Sequence, residues 1–335
     1  MLALRAGVRG GRGRPRGLAD HTAPAGRAGT LPLAMRFTFL GTGTSAGVPC
    51  IACDCPVCTS PDPRDQRSRT GAALSWTDPH GRPRTVLIDA TPDLRLQAVH
   101  ARLRRCDAVL FTHNHVDHTF GLDEVRRFNA VQRSPIDVWA EDHTMDHLRR
   151  VYAHIFERQR YVNDSFVATL IPRRLEPLTP IDLWGLRVTP LRLLHGRLPV
   201  LGFRFDLPPA PARRGPAAGR AHTPVFPLAY CTDVSAIPPE TYPHLEGLGT
   251  LCLDALRKRH HPTHLTLDQA VEIAGRLAPA RALFIHIAHD LPHAATCAEL
   301  PEPMSLAHDG LTLEEPDADG APCPEPLRPS GFDAV

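Results

Sequence analysis

One stretch decides the fold of this chain: Thr112-His113-Asn114-His115-Val116-Asp117-His118, a turn that follows the apolar run at residues 108–111. Such a run is typical of a strand buried in a parallel sheet, and open α/β sheets place their sites at the carboxyl ends of these strands. Three imidazoles and a carboxylate are costly to bury singly, because each needs a polar partner. A metal ion satisfies all of them, and imidazole is the commonest metal ligand. The turn therefore predicts a metal site on a loop that a rigid strand holds.

Strands and helices alternate on both sides of this turn. In the first half the hydrophobic pattern predicts strands at residues 37–40, 72–76, 85–89, 108–111 and 136–140, and helices at 92–104, 122–129 and 143–156. In the second half it predicts strands at 186–191, 200–205, 228–233, 250–254 and 281–286, and a helix at 266–277. This order favours a layered α/β sandwich over an all-α or all-β fold.

The ends of the chain differ in composition from its centre. Residues 1–34 are rich in arginine and glycine and contain one acid, Asp20, which indicates disorder or a mis-annotated start. Our hypothesis is that translation begins at Met35, because the first strand follows at once. We expect one folded domain at residues 35–315, a flexible loop at 208–227 that is rich in proline and glycine, and a disordered tail at 316–335.

Composition limits the class of partner. A net charge of +2 with 22% charged residues gives no reason to expect a nucleic-acid or membrane partner. The chain has no apolar run of the roughly 18 residues that a spanning helix needs. Clustered cysteines without a secretory leader are typical of a reducing compartment, so we expect a cytoplasmic protein. The sequence leaves a monomer and a homodimer open.

Three further candidate ligands follow strands of the second half. They are His195, Asp233 and His286, each at the end of an apolar run. Parallel strands bring their carboxyl ends to one edge of a sheet, so we expect these side chains to converge on the turn at residues 113–118.

A loop of cysteines predicts a second kind of metal site. Cys53, Cys55 and Cys58 have a spacing that is typical of metal binding outside a disulfide context. Three thiolates and one imidazole form a closed tetrahedral site of the structural zinc type, and His289 is the predicted fourth ligand. Cys50 is an additional thiol nearby, and it leaves the identity of the four ligands open.

The histidine turn and the later ligands together resemble the metallo-β-lactamase superfamily, whose signature is His-x-His-x-Asp-His followed by a later His, Asp and His. The match extends from about residue 36 to 313. It implies a four-layer αββα sandwich that binds two divalent metals, Zn²⁺ or Mn²⁺. It also implies that one metal is held by His113, His115 and His195, that the other is held by Asp117, His118 and His286, and that Asp233 bridges them.

A longer combination of motifs is similar to the PhnP-type cyclic phosphodiesterases of carbon–phosphorus lyase pathways. It comprises the glycine-rich residues 41–49, the cysteine loop, the histidine turn and the pair His286 and His289. The resemblance implies that a hydroxide bridging two metals opens a small phosphodiester, 5-phosphoribosyl 1,2-cyclic phosphate, to ribose 1,5-bisphosphate. It places Asp117 in the catalytic set and makes His264 the general acid.

Alternatives remain for that acid. His264 could instead cap the helix that begins near Thr266, and His260 and His261 compete with it for the catalytic role. We expect Asp254 to orient one of these histidines.

Two other functions stay open. A tRNA 3′-processing nuclease similar to ribonuclease Z would favour a long basic arm, whereas the arginines at 149–160 and 213–220 form modest patches. A non-hydrolytic zinc protein similar to PqqB shares the cysteine loop, but the complete set Asp117, His118 and His286 argues against a degraded second site. Substrate choice is expected to depend on the loops at 142–165 and 206–227.

Overall fold

The computed structural model describes residues 34–157, 159, 166–207 and 223–316. The predictions for residues 1–33 and 317–335, and for most of the loop at 208–227, lie outside this part of the chain. The strands are β1 (Met35–Gly41), β2 (Gly71–Thr77), β3 (Pro83–Ile88), β4 (Ala108–Leu110), β5 (Ile136–Ala140), β6 (Leu170–Arg174), β7 (Ile181–Leu183), β8 (Leu186–His195), β9 (Leu198–Asp206), β10 (Leu228–Cys231), β11 (Thr250–Asp254), β12 (Arg281–Ile285), β13 (Met304–Leu306) and β14 (Thr312–Glu315). The α-helices are α1 (Leu94–His100), α2 (Val116–Thr119), α3 (Arg126–Gln132), α4 (Asp142–Val151), α5 (Ala153–Phe156), α6 (Leu267–Leu277) and α7 (His293–Glu299).

The described strands form two mixed sheets. The first has the order β14-β1-β2-β3-β4-β5-β6 and the second the order β13-β12-β11-β10-β9-β8-β7. In the first sheet β3 to β6 run parallel, and in the second β10 to β13 do. The other neighbours pair antiparallel, including β2 and β3.

Alternation of side chains along the strands creates three apolar layers. Phe37 and Trp76 from the first sheet pack with Phe203 and Tyr230 from the second, and this core fills the space between the sheets. The opposite face of the first sheet packs against α1, α3 and α4, and that of the second packs against α6. The arrangement confirms the predicted αββα sandwich.

The element boundaries differ from the prediction in several places. The helix predicted at 92–104 is confined to α1, and that at 122–129 begins as a 3-10 turn, Leu122–Val125, before α3. The helix predicted at 143–156 breaks at Tyr152 into α4 and α5. Strands β6 and β7 and helix α7 were not predicted, because they are short and partly exposed at the edges of the layers. Among the described helices, none is long and apolar enough to cross a membrane.

Candidate metal centre

The histidine turn lies at the carboxyl end of β4. His113 comes three residues after the strand, His115 is the N-cap residue of α2, and Asp117 and His118 lie on this short helix. His113 and His118 are fully buried, and His115 is exposed. A single turn of helix after a buried strand thus directs four polar side chains to one edge of the first sheet.

A buried carboxylate holds this turn in place. Asp89 follows β3 and accepts hydrogen bonds from Thr112 N (2.8 Å), Thr112 Oγ1 (2.9 Å) and His118 Nδ1 (2.7 Å). Because Nδ1 of His118 donates to Asp89, its Nε2 is free for a metal. Such carboxylate–histidine pairs set the tautomer and ring orientation of metal ligands. Sequence reasoning missed Asp89, whose signal was an acid that ends an apolar strand beside the histidine motif.

The second sheet brings its predicted ligands to the same edge. His195 ends β8, Asp233 lies two residues after β10, and His286 directly follows β12. The parallel-strand argument is wrong for His195, because β8 pairs antiparallel with both of its neighbours. Since β9 also runs antiparallel to β10, β8 and β10 point in the same direction, and His195 still reaches this edge.

The predicted ligands, together with His264, form overlapping clusters, and within each cluster the metal-binding atoms lie within 4.8 Å of one another. The clusters include His113, His115 and His195; His113, His118 and Asp233; Asp117, His118 and His286; and His195, Asp233 and His264. In each case the side chains come from distant parts of the sequence. Both sheets contribute to the first three clusters, so the centre spans the cleft between them.

Several nitrogens in this centre have no hydrogen-bond partner among the described residues. They are Nε2 of His113, Nε2 of His118 and both ring nitrogens of His286, all of them buried. Buried polar atoms without partners are rare, because each loses its bonds to water. His118 Nε2 lies 3.2 Å from an Asp233 oxygen, and His286 Nε2 lies 3.3 Å from the other. Ligands about 2.0–2.2 Å from a tetrahedral ion are about 3.3–3.6 Å apart, so the donor set fits divalent cations.

The charges in the centre depend on one another. Burial lowers the pKa of His118, but the carboxylates of Asp233, Asp89 and Asp117 outweigh burial and leave this pKa well above its usual value. Burial likewise lowers the pKa of His286, and Asp233 and Asp117 raise it to a balance of about 9. For Asp233, burial raises the pKa, but His286 and His118 hold it well below the ordinary range. The carboxylates around these two imidazoles thus favour positive charge in the centre.

His264 lies beside this centre with a carboxylate behind it. Its Nδ1 lies 2.7 Å from Asp254 Oδ2, and Asp254 is fully buried at the end of β11. The same oxygen accepts a hydrogen bond from Val234 N at 2.8 Å. The capping alternative is wrong, because Thr266 caps α6 in a reciprocal pair with Gln269.

The two competing histidines lie further out. His260 is exposed, and His261 is partly exposed, with its ring centroid 5.1 Å from that of His264. Asp254 contacts His264, not these neighbours. The loop also orients a predicted ligand, since His195 Nδ1 donates to the Thr263 carbonyl at 2.7 Å.

The cysteine loop closes on His289. The sulfurs of Cys53, Cys55 and Cys58 lie 3.3, 3.6 and 3.4 Å from His289 Nδ1. A tetrahedral zinc with bonds of about 2.3 Å to sulfur and 2.0–2.1 Å to nitrogen places these atoms about 3.5 Å apart, so the four residues fit such an ion. The sulfur of Cys50 instead lies 3.1 Å from the Gly47 carbonyl, and its backbone N–H donates to Cys58 Sγ.

This chain is similar to a known protein family, to curated proteins and to solved structures. A family model described as a beta-lactamase superfamily domain matches residues 84–287. The chain is 33% identical over 279 residues to an octanoyltransferase of Porphyromonas gingivalis, covering 83% of this chain and 51% of that protein. It therefore spans about half the length of this curated relative.

Solved structures share the fold over most of the chain. A diphosphatase of the PhnP family is 37% identical, with a TM-score of 0.71 and coverage of 84% of this chain and 98% of that one. Zinc-bound PqqB of Methylobacterium extorquens is 19% identical, with a TM-score of 0.64 and coverage of 83% and 99%. At this identity the second similarity concerns the fold alone.

Proposed function

The chain belongs to the metallo-β-lactamase superfamily and, within it, to the PhnP family, and on this premise we propose that it hydrolyses a small cyclic phosphodiester. The activity we propose is that of a metal-dependent hydrolase, which the similarity to a PhnP-family diphosphatase supports. The proposed substrate is 5-phosphoribosyl 1,2-cyclic phosphate, opened to ribose 1,5-bisphosphate. The observation that carries this proposal is the buried pair of His264 and Asp254. This pair places a side chain that can donate a proton next to the candidate metal centre.

Two divalent ions, Zn²⁺ or Mn²⁺, fit the donor set described above. One would be held by His113, His115 and His195 and the other by Asp117, His118 and His286, with Asp233 between them. Bound there, they would supply a water of lowered pKa and neutralise charge on the phosphoryl oxygens. A structural zinc on Cys53, Cys55, Cys58 and His289 would fasten the cysteine loop to the segment that follows His286.

In the proposed reaction, His264 and Asp254 provide the proton that the leaving group needs. Opening a cyclic ester of a sugar releases an alkoxide, which needs a proton as the P–O bond breaks. Asp254 accepts from His264 Nδ1, so Nε2 is the ring atom that can deliver this proton. Asp254 is itself fixed by Val234 N, and the imidazole is therefore held in one orientation before substrate arrives. Asp117 stays ionised, because His118 outweighs the effect of burial and lowers its pKa.

A second candidate is hydrolysis of a diphosphate, which the name of the PhnP-family relative favours. Its leaving group is a phosphate, which departs as a stable anion and depends less on an acid than a sugar alkoxide does. Octanoyl transfer is not proposed, because this chain spans only 51% of the relative that bears that name.

The test is a side-by-side assay of metal-loaded protein. The substrates are bis-p-nitrophenyl phosphate, 2′,3′-cyclic nucleotides, the ribosyl cyclic phosphate, a nucleoside diphosphate and a tRNA precursor. The proposal predicts the highest kcat/KM on the ribosyl cyclic phosphate. Preference for the diphosphate would establish the second candidate, and cleavage of only the tRNA precursor would favour a ribonuclease Z-like function. Inactivity on every substrate with metals present would favour a PqqB-like role.

A further inference from the structure

A second cavity lies away from the candidate metal centre, at the other side of the sandwich. It opens where β13 and β14, the edge strands of the two sheets, face each other, and its volume is about 370 Å³. Arg281, which lines it, begins β12, whereas His286 follows the end of that strand. Five residues of strand separate the two by roughly 16 Å. The cavity is therefore a separate site.

The lining has a distinct chemistry. One part is apolar and comes from leucines and a proline of the segments around β12, β13 and β14. The polar part consists of Arg64, Arg281, His293, His308 and Ser305. None of the described residues that line the cavity is a carboxylate. A cavity with two guanidinium groups and no lining acid suits an anion.

His293 is the least satisfied of these groups. It is 4% exposed, and its Nδ1 is buried without a hydrogen-bond partner among the described residues. Its backbone N–H donates to Asp65 Oδ1 at 2.8 Å. That oxygen also accepts from Arg67, whose buried guanidinium donates to the carbonyl of Leu291. The backbone at His293 is thus anchored, while Nδ1 of its imidazole has no partner among the described residues, a rare state for a buried group.

Arg64 and Arg281 each have N–H donors that make no hydrogen bond within the described part of the chain. A guanidinium carries five N–H donors. Arg64 uses Nε and Nη2 on Asp62, and Arg281 uses Nη2 on the carbonyl of Thr223. Burial, and after it the nearby Arg64, His308 and Arg67, lower the pKa of His293 to about 4, although Asp62 acts in the opposite direction. The imidazole is therefore uncharged near neutral pH, and the positive charge that lines the cavity comes from the two arginines.

We propose that this cavity binds the phosphate group of a small phosphomonoester, whose oxygens are received by Arg64, Arg281 and His293. Three donors on separate elements suit a tetrahedral oxyanion better than a planar carboxylate, which takes a guanidinium side-on. The apolar part of the lining would contact the carbon skeleton of the ester. A cavity of this size is within the range of small-ligand sites.

The experiment follows the His293 ring by NMR in zinc-loaded protein carrying ¹³C-labelled histidine. The signal is assigned by its loss in His293→Asn, and the protein is titrated with ribose 5-phosphate, inorganic phosphate, ribose and acetate. We expect a saturable shift with ribose 5-phosphate, a weaker one with inorganic phosphate and none with ribose. Arg64→Gln and Arg281→Gln should each weaken binding by about tenfold or more. Arg82→Gln, which removes the same charge from an exposed turn outside the cavity, should leave it unchanged.

Three results would overturn the proposal. The first is a His293 signal that does not move in a saturable way with either phosphate. The second is acetate acting as strongly as inorganic phosphate, which would remove the preference for a tetrahedral oxyanion. The third is unchanged affinity in both glutamine variants while their other histidine signals match the wild type. A ligand at the metal centre would shift the NMR signals of the histidines there and not that of His293. Failure of this proposal can therefore be distinguished from failure of the proposed hydrolysis.

Discussion

Removing His264, the proposed proton donor, should lower kcat most for the substrate whose leaving group most needs a proton. In His264→Ala, opening of a cyclic sugar phosphate loses the acid that protonates the alkoxide, and kcat should fall by about 10²- to 10⁴-fold. A nitrophenolate leaves without a proton, so kcat for bis-p-nitrophenyl phosphate should fall only a few-fold. The ratio of the two losses measures acid catalysis separately from any damage to metal binding.

Replacing Asp254, whose carboxylate contacts His264, should lower kcat on the alkoxide-releasing substrate by less than replacing His264 does. Asp254→Asn keeps an oxygen that can accept from both Val234 N and His264 Nδ1, but it removes the negative charge from this 2.7 Å hydrogen bond between buried groups. A charge-assisted bond exceeds a neutral one by about 1–1.5 kcal/mol, which corresponds to about 5- to 13-fold in kcat on the alkoxide-releasing substrate. The amide can still accept from Val234 N through its oxygen, so the fold should be retained.

The assay compares kcat for both substrates in metal-loaded wild type, His264→Ala, Asp254→Asn and the matched control His261→Ala. His261 is a neighbouring, partly exposed histidine that Asp254 does not contact, and its replacement should change neither rate by more than a few-fold. Metal content is measured on every sample. Equal losses on both substrates in His264→Ala, with metal retained, would refute the reasoning and give His264 a structural role.

Three further outcomes follow from the metal sites. Asp89→Asn should weaken metal binding through His118 by about 10- to 100-fold, as measured by competition with a chelator, and an unchanged affinity would contradict the orienting role. Cys55→Ser should remove one zinc per chain and lower Tm, whereas Cys50→Ser should retain it; equal zinc loss in both would place Cys50 among the ligands. In the metal-free protein the raised pKa values keep His118 and His286 protonated near neutral pH, so loading the centre should release about two protons. Release should decline as pH rises past the pKa of about 9 of His286, and calorimetry in buffers of different ionisation enthalpy measures it; absence of release at neutral pH would contradict these shifts.

Most residues of the candidate centre could be predicted from the sequence, because they occupy recognisable positions. A dense turn such as residues 113–118 has few explanations besides a metal, and His195, Asp233 and His286 each follow an apolar strand. The direction of β8 was not predictable, because apolar strands look alike in parallel and antiparallel pairs. His195 nevertheless reaches the expected edge, because the two reversals at β9 cancel.

Other features depend on contacts that no local pattern reveals. Asp89 is an ordinary strand-end acid until folding places it 2.7 Å from His118. The cavity at the sheet edges joins Arg64 to His293, which lie far apart in the sequence. Edge strands such as β6 and β7 are short, and partial exposure weakens their alternating pattern. Such pairings are set by tertiary packing.

The division of the ligands between the two sheets has a consequence for the life of the protein in the cell. Any ion held jointly by His113, His115 and His195 would link the two sheets, because His113 and His115 follow a strand of the first sheet and His195 ends a strand of the second. Newly made chains that have not yet bound metal would lack this link, and the apolar core between the sheets alone would hold the two halves together. Supply of the ion should then raise the free energy of unfolding as well as the rate of each molecule.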